Sequence, residues 1–344
     1  MTAATSFVTD YLGGVGAGVS QAMAASLPDG GPRNSLYDPL EEFVARSGKS
    51  IRPALCIAAA RAHGARTEQV MPSAVALELL HNSFLIHDDV EDGSVSRRGF
   101  PTMHTEHGVP IAVNVGDGLA ALALRPLTEN LGVLGTTMHN RVMAEFAELL
   151  RTTIEGQAIE LGWRANNDVE LTSEDYVDMV ALKTCAYTTI FPMRIGALIG
   201  SWGRADLGAV TRFGLYLGAA FQITDDLLNL TGDETRYGKE IAGDLSEGKR
   251  TLMLVHLLSS VGSDDRGFLV DFLADDPSTR SPAHIATVRE MMEANGSIEY
   301  GREYARALAD QALVAFEEAF GALPDTPDRR FLAESVGFMV DRDL

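Results

Sequence analysis

Apolar residues along this chain recur at three- and four-residue spacing, which is the period of a helix and not of a strand. The pattern is densest from Pro72 to Asp92. Pro72 and Ser73 open that segment, and Val75, Leu79, Phe84 and Ile86 sit among other apolar positions on nearly every face. A helix apolar all round is enclosed by the core rather than laid on its surface. Arg212 to Leu230 reads the same way through Phe213, Leu217, Phe221, Ile223 and Leu227. Further helices are predicted over 38–48, 53–64, 111–131, 138–161, 173–199, 249–260, 282–294 and 299–320, in segments rich in the helix formers Ala, Leu, Met, Glu and Arg. Strand signals are nearly absent, since no run of alternating β-branched residues is bounded by an Asn-Gly or Asp-Gly turn. The Gly-, Ala- and Ser-rich stretch 13–31 reads as a loose helix or an ordered arm. No Pro/Gly/Ser-rich linker and no repeat divides the chain. The expectation is one all-α domain over 1–344, with 1–35 as an N-terminal arm.

Composition narrows the function. The 344 residues include 28 Lys+Arg against 48 Asp+Glu, a net charge of −20. A nucleic-acid binder needs a basic face, and a polybasic membrane anchor needs clustered cations; both are disfavoured. The two cysteines, Cys56 and Cys185, cannot build a disulfide framework or a four-ligand zinc site, and they read as buried small hydrophobes of a reducing compartment. No signal peptide is visible and the apolar runs are interrupted by charges too often for a membrane span. A cytoplasmic protein without stable membrane insertion is expected.

Two acidic clusters each end an apolar helix. The first is Asp88-Asp89-Val90-Glu91-Asp92. Spacings of three and four place Asp88, Asp89 and Asp92 on one helix face, where like charges repel unless water or a cation neutralises them. The second, Asp225-Asp226-Leu227-Leu228-Asn229, has the same spacing with Asn last. All-oxygen donors suit a hard cation, Mg²⁺ before Zn²⁺. An EF-hand does not fit, because Val90 and Gly99 stand where that loop needs oxygen ligands. Either cluster alone could be a solvated helix end; two with one spacing point to metal.

The chain has only four lysines, Lys49, Lys183, Lys239 and Lys249. Their scarcity reflects composition, but their positions do not. Lys49 lies in Gly48-Lys49-Ser50-Ile51-Arg52-Pro53, Lys239 and Lys249 bracket Gly243-Asp244 after the second acidic cluster, and Arg97-Arg98-Gly99 follows the first. Singly each reads as a surface charge; together they suit phosphate. Carboxylates cannot hold a phosphate directly, but they hold Mg²⁺, which takes phosphate oxygens into its remaining positions. A diphosphate drawn off in this way leaves a carbocation, which requires an apolar cavity that excludes water.

These motifs, with Glu78-Leu79-Leu80-His81, Glu155-Gly156-Gln157, Lys183-Thr184 and Phe221-Gln222-Ile223-Thr224-Asp225-Asp226, stand in an order that resembles the trans-isoprenyl diphosphate synthases, the polyprenyl synthetase family, and within it the geranylgeranyl diphosphate synthases. The ending Asp341-Arg342-Asp343-Leu344 is similar as well. The resemblance implies an isoprenoid-synthase-type helical bundle around a central cavity, usually as a homodimer. It implies up to three Mg²⁺ ions bridging the Asp-rich motifs to an allylic diphosphate, with Asp88, Asp92 and Asp225 as direct ligands and Asp89 and Asp226 supporting or completing the shell. Lys183, Gln222, Lys239 and Arg97, with Lys249, would touch the allylic diphosphate. Lys49, Arg52, His81 and Arg98 would form a separate pocket for isopentenyl diphosphate, and Thr184 and Gln222 would line the reacting carbons. The implied reaction is ionisation, attack by the isopentenyl double bond and proton loss to the departing diphosphate. His87 reads as packing. Asn229 departs from the third Asp of many members, and a neutral amide there would weaken cation binding.

In this family the growing chain passes the residues one turn before the first motif. Ser83, five before Asp88, is too small to cap the channel; Leu80 and Leu77 lie deeper, and Phe84 would shorten it if its ring turned inward. The implied product is longer than C15, with C20 expected and C15 or C25 the neighbouring outcomes. Two other readings stand beside elongation. A class I terpene synthase keeps the metal site and cyclises one diphosphate without an isopentenyl partner. A non-catalytic subunit of a heteromeric synthase usually loses the Asp motifs. The presence of Lys49, Arg52, His81 and Arg98 with both motifs favours elongation.

Overall fold

The computed structural model describes residues 3–46, 48–232 and 242–340. The all-α expectation holds. In chain order the helices are α1 (Ala3–Ser26), α2 (Asp38–Ala45), α3 (Ile51–Ala62), α4 (Thr67–Asp92), α5 (Met103–His107), α6 (Val109–Leu122), α7 (Leu124–Asn166), α8 (Ser173–Val180), α9 (Phe191–Gly200), α10 (Leu207–Thr231), α11 (Gly243–Glu247), α12 (Leu252–Ser260), α13 (Ser263–Ala274), α14 (Pro282–Ala294), α15 (Ser297–Phe320) and α16 (Pro327–Val340).

Helix α4 is the hub, and α1, α3, α6 and α7 pack against it. It begins before Pro72, not at it. The ring removes only the bond to the Glu68 carbonyl, which sits on an exposed residue of the first turn where water replaces the donor. From Ser73 to Ser83 every residue is buried, as an apolar helix inside a bundle requires. Gly93, at φ 67°, ends α4 in the left-handed region. Helix α10 is the second long core element, packed along α15 and capped by Asp206, whose carboxylate accepts the Gly208 and Ala209 amides.

Four features refine the sequence reading. The N-terminal stretch, read as a loose helix or an ordered arm, is helix α1, which buries Val8, Leu12, Val19 and Met23 and stacks Tyr11 on Phe331 of α16 at 4.1 Å between ring centroids. The helix predicted over 111–131 breaks at Ala123 between α6 and α7, and α7 kinks at Gly135, where φ is 70°. A two-residue ladder, β1 (Ser96–Arg97) with β2 (Phe100–Pro101), closes through Arg98 at φ 55° and Gly99 at φ 78°. Two positive φ values are what a tight two-residue hairpin turn demands.

The fourth is chemical in consequence. The segment predicted as one helix over 173–199 contains a ten-residue π-helix, Ala181–Ile190, between α8 and α9. Such widened turns occur mostly at functional sites. Its backbone lies directly on α7 at Gly156, where a Cβ would fall 2.2 Å from the Lys183 amide nitrogen. Only glycine permits this approach. Gly156→Ala should therefore cost roughly 1–3 kcal/mol through overpacking, read as a lower urea midpoint, with activity falling as Lys183 is displaced. An unchanged midpoint and rate would show that the contact is not constraining.

Candidate active site

The C-terminal ends of α4 and α10 face one cavity of about 600 Å³. On α4, Asp88 lines it, while Asp89 does not: its side chain is 0% exposed and accepts Arg97 Nε at 2.7 Å. Arg97 Nη2 lies 3.6 Å from Asp88. Asp89 thus anchors the hairpin arginine that borders Asp88. Asp92, one turn on, has a side chain 2% exposed and is engaged by Arg164 at 2.6 Å and Lys249 at 2.7 Å.

On α10, Asp225 and Asp226 both line the cavity. Asp226 accepts the Tyr176 hydroxyl and the Gln222 amide, each at 2.7 Å. Burial pushes its carboxyl well above the usual carboxylate range, the Asp244 charge adds to that, and the two hydrogen bonds oppose it. Its two oxygens thus hold Tyr176 and Gln222. Gln222 in turn accepts the Thr184 hydroxyl at 3.0 Å, which ties α10 to the π-helix. Asn229 is buried and its amide oxygen accepts the Asp244 backbone N–H at 3.1 Å. The amide therefore helps to position α11 and its Asp244.

The cations answer this negative charge. Lys183 pairs with Glu160 and lies 3.6 Å from Asp88. Burial works against its ammonium, but Glu160 and Asp88 outweigh burial and hold its pKa above the ordinary value. Lys249 bonds Asp92 and Glu247, each at 2.7 Å, with Asp244 at 3.7 Å, and is held charged in the same way. Lys239 lies outside the described residues. Among those described, no three oxygens from different residues of the Asp motifs come within 4.8 Å of one another. That is no closed protein cage. It does suit Mg²⁺, which takes one or two carboxylates and completes its shell with water and phosphate. Asp88 and Asp225, facing the cavity from two helices, are donors of the right kind.

A basic cluster forms part of the cavity wall, where Arg52, His81 and Tyr187 line it. Arg52 reaches His81 Nε2 at 3.2 Å and the Thr188 hydroxyl at 2.9 Å, with its guanidinium 4.3 Å over the Tyr187 ring. Arg98 bonds the Arg46 carbonyl at 2.7 Å and lies against Gly48, and Lys49 is exposed beside it. Because arginine only donates, His81 Nε2 accepts and the ring is neutral with its proton on Nδ1. Burial, then Arg52, Arg98 and Arg97, push its pKa well below the ordinary value. Buried Glu78 lies in the field of Arg52 and Arg98; burial raises its pKa and the two arginines oppose that.

Beyond the charged mouth the cavity is mainly apolar, walled by Leu80, Phe84, Leu150 and Ile154, with Ser83 and Thr153. Phe84 turns its ring into the wall, edge-on to Tyr187 at 5.5 Å. His87 lines the mouth and packs on Gly116, where a Cβ would lie 2.3 Å from Nε2. Leu77 is buried in the core and does not line the cavity. Sequence reasoning missed Tyr176, Glu160 and Arg164 as partners of Asp226, Lys183 and Asp92. Each comes from a distant segment, and only the proximity of Glu160 to Glu155-Gly156-Gln157 marked one of them.

The polyprenyl synthetase family model matches residues 33–292. A geranylgeranyl diphosphate synthase of Saccharolobus solfataricus is 32% identical over 83% of this chain and 85% of its own. An octaprenyl diphosphate synthase of Escherichia coli is 33% identical over 88% of each. A crystal structure of a polyprenyl synthase from Caulobacter crescentus, complexed with calcium and isoprenyl diphosphate, superposes with a TM-score of 0.86 at 27% identity, covering 99% of this chain and 98% of that one.

The neutral, desolvated His81 sets a pH dependence. Its folded pKa is depressed, so the folded state resists the proton that the unfolded chain takes up below about 6.5, its ordinary value. Stability from this group is present above that pH and lost on acidification. The stability difference between wild type and His81→Gln should rise with pH by up to about 1.4 kcal/mol per unit below that value. Urea unfolding from pH 5 to 7.5 reads it; a flat difference would show a solvated ring.

Proposed function

The chain belongs to the polyprenyl synthetase family and is a prenyltransferase, and on that premise we propose that it condenses isopentenyl diphosphate with an allylic diphosphate to give a longer trans-prenyl diphosphate, C20 geranylgeranyl diphosphate. The observation that carries this reading is the division of one cavity into a charged mouth and an apolar interior, with the Arg52 cluster on its wall. The small Ser83 at the channel entrance supports a product beyond C15. The relatives include synthases of C20 and octaprenyl chains, so length rests on the channel and not on likeness.

In this reading Asp88, Asp92 and Asp225 hold Mg²⁺, with Asp89 and Asp226 behind them. The bound ions would supply the positive charge that stabilises a departing diphosphate. Lys183, Lys249 and Arg97, with Lys239, receive the allylic diphosphate; Lys49, Arg52 and Arg98 receive the isopentenyl one, and neutral His81 orients Arg52. The C1–O bond of the allylic substrate breaks and its electron pair leaves with the diphosphate. The isopentenyl double bond forms the new C–C bond at C1. The resulting tertiary cation loses a proton to the released diphosphate, which restores a double bond. Thr184 and Gln222 set their dipoles beside the reacting carbons, and the apolar wall excludes water that would quench the cation.

We also propose that the chain works as a homodimer. Val109 and Val113, one turn apart on α6, are 49% and 38% exposed, an apolar stripe suited to a second copy. Sedimentation equilibrium tests it: a dimer is expected, and a monomer at micromolar concentration contradicts it.

The product assay tests the reaction. With Mg²⁺, isopentenyl diphosphate and C5, C10, C15 or C20 allylic diphosphates, a linear prenol should appear after phosphatase treatment only when isopentenyl diphosphate is present. A cyclic product from one allylic diphosphate alone would make the protein a terpene synthase. Asp88→Ala and Asp225→Ala should each remove turnover at any Mg²⁺ concentration, and wild-type activity in either would sink the metal assignment. Arg98→Ala should raise the KM for isopentenyl diphosphate more than that for the allylic substrate. Ser83→Phe should shorten the product; an unchanged length would count against the channel.

A further inference from the structure

The turn that carries Lys249 to the mouth is held from behind by two buried arginines. Arg250 and Arg280 are 2% and 8% exposed, and their hydrogen bonds among the described residues end on main-chain carbonyls or on the Asn167 amide oxygen. Burial pushes the Arg250 guanidinium down to about 10, and the charges of Arg280 and Arg164 add to that. Like charges buried together are unfavourable unless their donors are well used.

Those donors converge on one turn. Arg280 bonds the Ser246 carbonyl of α11 at 2.7 Å, and the Phe272, Leu273 and Asp275 carbonyls around the end of α13 at 3.1, 3.0 and 3.0 Å. Carbonyls in the last turn of a helix have no partner within it, and a cation there also meets the negative end of the helix dipole. One guanidinium thus joins two helix ends. Arg250 donates to the Gly248 carbonyl, to the Asp168 carbonyl at 3.2 Å and to Asn167 Oδ1 at 2.7 Å, just past the end of α7. The Asn167 amide closes the circuit by donating to the Val270 carbonyl of α13 at 3.3 Å. Gly248 turns between the two arginines at φ 75°, and a Cβ on it would fall 2.5 Å from Arg280 Nη1. Helix α11 has five residues, too few to hold its own direction. Asn229 helps to hold its start, and Arg280 holds its end.

We propose that Arg280 is a positioning residue for the reaction, which acts through α11 and Gly248 to set Asp244 and Lys249 at the mouth, with Arg250 as the other half of the clamp. This rests on the reading of the mouth as the site of the allylic diphosphate. Asp244, Lys249 and Arg250 line the cavity and Arg280 does not, so any effect of Arg280 on a bound diphosphate passes through the turn. If the turn shifts, Lys249 leaves its place 2.7 Å from Asp92. Arg52, His81 and Thr188 lie on α3, α4 and the π-helix, and none of the clamp's bonds reaches them.

Three variants separate positioning from mere stability. Arg280→Met removes the donors, and Arg280→Lys keeps the charge and three of them. Arg194→Met is the comparator. Arg194 also bonds a main-chain carbonyl, that of Leu207, and it pairs with Glu145, which precedes Glu160 on α7 by fifteen residues, roughly 22 Å along the helix. Calorimetry with Mg²⁺ and inorganic pyrophosphate reads the mouth without turnover, and KM values for the C15 allylic diphosphate and isopentenyl diphosphate read each substrate. Arg280→Met should weaken pyrophosphate about tenfold and raise the allylic KM by a similar factor, with the isopentenyl KM within about twofold of wild type. Arg280→Lys should fall between, and Arg194→Met should lower Tm while leaving all three constants unchanged. Wild-type pyrophosphate affinity in a folded Arg280→Met would overturn the proposal, as would an equal rise in both KM values. If Arg280→Met does not fold, wild-type affinity in Arg280→Lys overturns it instead. A wild type that makes no linear prenol but binds pyrophosphate with Mg²⁺ would overturn the elongation reading and leave the clamp to the calorimetric result. A wild type that binds no pyrophosphate would overturn the reading of the mouth and the clamp with it.

Discussion

Carboxylates gathered at the ends of two buried helices are the constraint on which the rest of this structure depends. Asp88, Asp89 and Asp92 on α4 and Asp225 and Asp226 on α10 repel one another wherever water is thin, and each is tolerated by a specific arrangement. Asp89 takes Arg97, Asp92 takes Arg164 and Lys249, and Asp226 takes Tyr176 and Gln222. The hairpin turn, the π-helix and α11 are the local devices that bring those partners in. Arg97 arrives on a turn with two positive φ values, Lys183 on a widened helix seated against Gly156, and Asp244 on a turn fixed by Asn229.

The same constraint explains the shape of the cavity. A diphosphate and a hydrocarbon tail cannot share one environment, so charge is confined to the mouth and the walls behind it are apolar. The interior is the stretch of α4 that reads as hydrophobic all round, closed by α7. Arg52 lies on the same cavity wall against Tyr187 and His81, and the neutral ring there accepts from a guanidinium instead of adding to its charge.

Much of this was legible in the sequence because it is local. The apolar period of α4 and α10, the acidic spacing at their ends and the basic motifs between them are written in contiguous residues. What was not legible came from contacts between distant segments or from backbone geometry with no compositional signal. The Gly-rich stretch that composition left open between a loose helix and an arm is α1, because Val8, Leu12, Val19 and Met23 bury one face of it against α3, α4 and α16. The π-helix has the composition of an ordinary helix. The pairing of Asp89 with Arg97 and of Asp226 with Tyr176 joins segments that no spacing rule couples. Pro72 looked like a helix start because a proline in the second turn is indistinguishable from one in the first until the exposed Glu68 carbonyl is seen.

The central claim is that the acidic mouth binds diphosphate only together with a divalent cation. Thermal unfolding of the wild type and Asp88→Ala, with Mg²⁺, inorganic pyrophosphate or both, tests it most directly, because a ligand of the folded state raises Tm. Either ligand alone should move the wild-type Tm little, both together should raise it by several degrees, and Asp88→Ala should lose that joint effect. A full shift from pyrophosphate without Mg²⁺, or one that survives in Asp88→Ala, would contradict the account.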